Sequence, residues 1–188
     1  MADTRDWGRN RDTWVRILEA RTGAGVDEWV VRIRKARPAS EAELRTWLGA
    51  RGVTGYAQQL LVMETFGYPD FVLATADALI AAQYEDRRHL RPIFDAVVAA
   101  AEKFGEVTVQ ARKTYVSLVG PRRTFARLQA TTRQRLDLGL RIAGQKPGGR
   151  LEASSIHPTM PLRIVLTTPD DLDAEAAAWL QRAYDANR

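Results

Sequence analysis

The chain contains no cysteine, which excludes a disulfide framework, thiolate nucleophiles and cysteine–metal centres. That absence suits a reducing compartment, and a cytoplasmic location is the expectation. Histidine is almost as scarce, with only His89 and His157. His89 sits among Arg87, Arg88 and Arg91, where a metal cation is repelled, and His157 has no second ligand residue near it. No metal site and no cofactor is therefore expected. No apolar run approaches the roughly 18 residues that a membrane helix needs, so no membrane partner is expected. The opening MADTRDWGRNRD is charged and lacks the apolar stretch of a signal peptide. Lysine is rare among the 28 basic residues, only Lys35, Lys103, Lys113 and Lys146, and the rest are arginine. An arginine-rich, alanine-rich composition follows a GC-rich genome, so arginine alone is weak evidence for bidentate recognition.

What is present is unevenly placed. Residues 1–83 carry 11 basic and 11 acidic side chains and are neutral. Residues 112–163 carry 11 basic side chains against only Asp137 and Glu152, a net +9 in a chain whose total is +5. A field this concentrated attracts anions whatever the fold.

The first third has helical periodicity throughout. Trp14, Ile17 and Leu18, then Val26, Trp29, Val30 and Ile33, recur at helical spacing. Ser40 with Glu43 forms a capping box that opens a helix bearing Leu44, Trp47 and Leu48. Thr54 is the expected cap of the next helix, which buries Tyr56 or Ala57 with Leu60, Leu61 and Met63. Trp14, Trp29 and Trp47 are the expected core anchors of a small bundle. Residues 1–67 are assigned to that bundle, 68–85 to a linker or linker helix, and 86–188 to a second domain. In the latter an amphipathic helix over about 90–104 carries Ile93, Phe94, Val97, Val98 and Ala101, with Pro92 in its first turn. The period then changes to 2. EVTVQAR, TYVSLVG, TFARLQAT, RQRLDLGLRI, RLEASS and PLRIVL read as strands joined by short turns, and a last helix begins after Asp170 and Asp171. Short connections imply hairpins, hence an antiparallel sheet with helices on one face and water on the other. The fold class is α+β: an N-terminal helical bundle, then an antiparallel β-sheet domain with flanking helices.

The stretch LEARTGAGVDEWVVRIRKARPASEAELRTWLGARGVTGYAQQL resembles a bacterial helical domain of unknown function. The stretch from RPIFDAVVAAAEKFGEVTVQARKTYVSLVG to AAWLQRAYD resembles a second domain of unknown function, sometimes labelled a predicted transport protein. The chain has no membrane span to match that label. Domains like the second are joined elsewhere to nuclease-like domains, which implies work on or near nucleic acid. The layout is also similar to small iron-chaperone-like α+β proteins. The resemblance supplies no catalytic residues.

The segment from Arg133 to Ile142 alternates: Leu136, Leu138, Leu140 and Ile142 against Arg133, Arg135, Asp137, Gly139 and Arg141. As one strand it would project Arg133, Arg135 and Arg141 together on the face opposite the leucines. Arg112, Lys113, Tyr115, Phe125 and Arg127 fall on or near neighbouring strands. Lys146 and Arg150 lie in or beside the loop GQKPGGR, which reads as a hairpin loop rather than a phosphate-binding loop because no Gly-Lys-Ser/Thr ending follows. Basic residues interleaved with aromatics suit a phosphodiester chain. The competing explanation is that a half-solvated sheet must display something polar. Ser154, Ser155 and His157 lack an acidic orienter, so no hydrolase is inferred. The acidic run Asp170, Asp171, Asp173 and Glu175 is explained by its place at a helix start. These residues point to a non-enzymatic protein that binds an anionic partner, nucleic acid first. A small apolar or aromatic ligand held in the Trp-rich bundle or between sheet and helices is the alternative.

Overall fold

The computed structural model describes residues 3–4 and 7–188. In chain order the elements are β1 (Asp3–Thr4), α1 (Trp7–Thr22), α2 (Val26–Ala36), α3 (Glu41–Gly49), α4 (Gly55–Phe66), α5 (Asp70–Leu73), α6 (Ala76–Gln83), α7 (Arg91–Glu102), β2 (Thr108–Ala111), β3 (Val116–Val119), β4 (Thr124–Gln129), β5 (Leu136–Leu140), β6 (Glu152–His157), β7 (Met160–Leu166) and α8 (Ala174–Asp185). This is the α+β layout: helices first, then a mainly antiparallel sheet with flanking helices. The chain divides into two compact units, one built from α1–α5 and the other from β1 and everything after Ala74.

In the helical unit, α4 runs through the middle with Ala57, Leu60, Leu61 and Val62 buried, which gives it almost no polar face. Leu18, Ile33, Leu44 and Leu48 close around it. Trp29 is buried, and Trp14 and Trp47 pack against the same core at its edge. Tyr56 turns outward and stacks on Trp14 at 5.0 Å. Ser40 Oγ accepts from Glu43 N at 3.2 Å, while the Glu43 carboxylate reaches back to Ala39 N at 2.8 Å, one residue before the cap. Thr54 occupies the cap position of α4 without a side-chain bond.

In the sheet unit, the strand order is β1-β2-β3-β4-β5-β7-β6. Every neighbouring pair is antiparallel except β1–β2. Register aligns the apolar positions in rows. Leu118, Ala126, Leu140 and Leu162 form one, and Leu128, Leu138 and Ile164 form the next. Ile80, Ile93, Phe94, Val97, Leu180 and Tyr184 from the helices share this core. The segment 68–85 holds α5 and α6, and its Ile80 and Tyr84 belong to the core of the sheet unit. Each fully buried Leu or Ile side chain contributes about 1.5–3 kcal/mol, so these rows fix which face of the sheet is polar.

Candidate anion-binding site

The polar face is built by register. Gln110 faces Ser117, Ser117 faces Arg127, and Arg127 faces Gly139, giving one row across β2, β3, β4 and β5. Arg112 N donates to Tyr115 O at 2.8 Å, which closes the β2–β3 turn and places both residues beside that row. Between Leu118 and Val119 the register shifts: Leu118 pairs with Ala126 but Val119 pairs with Thr124. Phe125 is the extra residue of a bulge, and such a residue re-aims its neighbours. It was expected on the basic face. Instead it is fully buried in the core, edge-on to Tyr184 at 5.3 Å. Thr124 joins the polar side in its place.

The hairpin of β6 and β7 supplies a wall. Its register breaks between Ala153 and His157, and Ile156 folds over the sheet at Gly139. A Cβ on residue 139 would lie 2.4 Å from Ile156 Cδ1, so any larger residue would push the end of that side chain aside. Arg127 Nη1 lies 3.4 Å from Ile156 O. His157 and Thr159 form the rim above the buried Met160. His157 Nδ1 lies 2.9 Å from Thr159 Oγ1 and 3.2 Å from Thr159 N, which fixes the ring against the hairpin turn.

Together these residues enclose a notch of about 200 Å³. Arg112, Arg127 and Arg141 all line it, and among the described residues no carboxylate does. The Arg127 guanidinium lies over the Tyr115 ring, 3.4 Å from its centroid. Such stacking stabilises the cation by about 1–2 kcal/mol and leaves the guanidinium edge free for oxygen acceptors. Burial pushes the Arg127 guanidinium below its ordinary value, with Tyr115 opposing. Burial, then the nearby Arg123 charge, pushes Arg141 in the same direction. The Nε–H of each is shut off from water and has no acceptor among the described residues. A buried donor left without a partner costs about 1–3 kcal/mol.

The other expected site residues are placed differently. β5 begins at Leu136, so Arg133 and Arg135 precede it and Arg141 follows it. Arg133 is highly exposed, with Asp86 Oδ2 at 3.6 Å. Arg135 pairs at 3.2 Å with Asp137, which is fully buried. Arg163 donates to the same Asp137 at 3.1 Å and to Glu152 at 3.0 Å. The arginine face is therefore divided. Near β5 and β7 it is a compensated ion-pair network, because a buried carboxylate must be neutralised. Near β2, β3 and β4 it is uncompensated. Arg150 is paired with Asp173, and its Nη2 donates to Asp171 O at 3.0 Å, which ties the loop to the start of α8. Lys146 is exposed in the same loop. Lys113 lines a separate cavity of about 370 Å³, shared with Asp86 and Arg87. Of the ten residues expected from sequence, Arg112, Tyr115, Arg127 and Arg141 come together. Gln110, Ser117, Thr124, His157 and Thr159 complete the lining and were not anticipated. Period-2 alternation on β2 and β3 marks Gln110 and Ser117; the bulge and the folded hairpin leave no comparable signal for the others.

An α+β unit that carries an uncompensated arginine notch on the polar side of its sheet is thus the class defined by fold and site. The chain belongs to the family described as a domain of unknown function (DUF5655), whose model matches residues 80–187. That match runs from within α6 to the penultimate residue and takes in every residue of the notch. No curated protein and no solved structure matches the chain. Among the described residues no group of three or more His, Asp or Glu could hold a metal ion, and no helix is long and apolar enough to cross a membrane.

Proposed function

We propose that this is a non-enzymatic binding protein that holds an anionic partner on the basic side of its sheet, and that the partner is nucleic acid. The observation that carries the reading is the convergence of Arg112, Arg127 and Arg141 in a lining with no carboxylate among the described residues. Three guanidinium groups supply charge neutralisation, and the Tyr115–Arg127 stack holds one of them in a fixed orientation. The alternative, an apolar ligand in the Trp-rich unit, has less support. Trp29 and Trp47 meet edge-on at 6.2 Å, and Arg32 and Arg51 cover their rings.

With about three phosphate charges of a single strand neutralised by these arginines, the slope of log affinity against log salt is about −2. Anisotropy of a labelled oligonucleotide should then show affinity falling about 20-fold between 50 and 200 mM salt. The Arg127→Ala/Arg141→Ala variant should bind more weakly with a slope near −0.7. Equal affinity and equal slope in both proteins would exclude this face.

A further inference from the structure

We infer that the notch is a receptor for a terminal phosphate monoester rather than for an internal phosphodiester. This inference rests on the anion-binding reading above. Size comes first. A volume of about 200 Å³ is smaller than the roughly 300–1,000 Å³ of sites that enclose a drug-sized ligand. It admits a tetrahedral oxyanion with its first waters and excludes a base together with its sugar.

Shape is the second argument. Ile156 lies on Gly139, and Arg127 Nη1 approaches Ile156 O, so the β6–β7 hairpin walls off the face at β5. A phosphate backbone laid across the strands from the β2 side meets this wall after the row Gln110, Ser117, Arg127. Its end fits the notch and its middle does not.

Charge is the third. A monoester carries about −1.5 to −2 at neutral pH and presents three acceptor oxygens. A diester carries one charge and two such oxygens. Three guanidinium groups without a carboxylate partner match the former. Arg141 makes no ion pair or hydrogen bond with its side chain among the described residues, and Arg127 makes only the 3.4 Å contact to Ile156 O beside its ring stack. Arg112 holds Gln110 Oε1 at 3.1 Å, which orients it along the floor.

Competition measured on the full chain at constant ionic strength tests this. The probes are one single-stranded oligonucleotide with a 5′-phosphate, with a 3′-phosphate, and with hydroxyls at both ends; inorganic phosphate is the fourth. At least one phosphorylated form should bind tenfold or more tighter than the hydroxyl form, and inorganic phosphate should displace it. In Arg127→Met/Arg141→Met the preference should shrink to less than twofold, with Arg141→Lys as a milder second variant if the double change unfolds. Equal binding of all three oligonucleotides, with steep salt dependence, overturns the terminal-phosphate inference and leaves the nucleic-acid reading intact. Failure of every oligonucleotide, with an arginine-dependent rise in melting temperature from inorganic phosphate, supports the notch and overturns the nucleic-acid reading. No response to any probe overturns both.

Discussion

Replacing Arg141 by methionine should make the empty protein more stable. Arg141 is half-buried, its Nε–H has no acceptor, and the Arg123 charge adds to the penalty of burial. Its backbone is held independently, because Asn187 Nδ2 donates to Arg141 O at 2.8 Å. Methionine keeps the methylene packing and removes the unpaired donor. An unsatisfied buried donor costs about 1–3 kcal/mol; with half of that discounted for residual solvation, the gain is about 0.5–1.5 kcal/mol. For a chain of this size that is a rise of about 1–5 °C in melting temperature. Calorimetry in a buffer free of phosphate and sulfate reads it directly. Adding phosphate at 100 times its Kd stabilises the wild type by about 2.7 kcal/mol, and the variant should lose most of that response. An Arg141→Met protein that melts earlier than wild type without anion, and gains as much from phosphate, would refute the reasoning.

Arg163→Met should behave in the opposite way, because it removes one of two cations from the fully buried Asp137. With Arg135 still in place the loss is about 2–4 kcal/mol, read by urea denaturation, and it should be independent of phosphate. Gly139→Ala should cost no more than about 1 kcal/mol, because the Ile156 Cδ1 methyl it meets can turn aside, and Ile156→Ala in the same chain should restore most of that loss. Asp171 accepts from Thr167 N and Thr167 Oγ1, both at 2.7 Å, and from Thr168 N at 2.9 Å, and these bonds hold its carboxyl below the usual range. Its contribution is therefore complete above the ordinary aspartate value of about 3.9 and is lost as pH falls through the lower folded value. Asp171→Asn should lower stability by about 1 kcal/mol at pH 7 and show a smaller further drop between pH 5 and pH 2.5 than wild type does.

The core of the sheet unit was legible because it is periodic. Leu136, Leu138 and Leu140 alternate, and their pairing with Leu128, Ala126, Ile164 and Leu162 follows from the same rule in each strand. Helix positions were legible for the same reason, down to Pro92 in the first turn of α7 and the cap at Ser40. The polar face was less so. Alternation says that Arg135, Asp137 and Arg141 share a side, but strand ends set where each side chain goes, and β5 begins one residue after Arg135 and stops one before Arg141. Asp137 and Glu152 are the only acidic residues from 112 to 163, and both fall against Arg163. That pairing needs the β5–β7 register, which joins residues far apart in sequence, and the shifted register of the β6–β7 hairpin, and neither has a local signature. Phe125 moved to the core because one extra residue in β4 reversed its side, and a single bulge is invisible to a period-2 count.

The most direct test follows the Nε–H resonances of arginine by ¹⁵N NMR during a phosphate titration at constant ionic strength. Arg127 and Arg141 should shift together and saturate at one dissociation constant, while Arg135 and Arg163 stay in place. Uniform small shifts across all arginines, or saturation at Arg135 and Arg163 instead, would contradict the assignment of the notch.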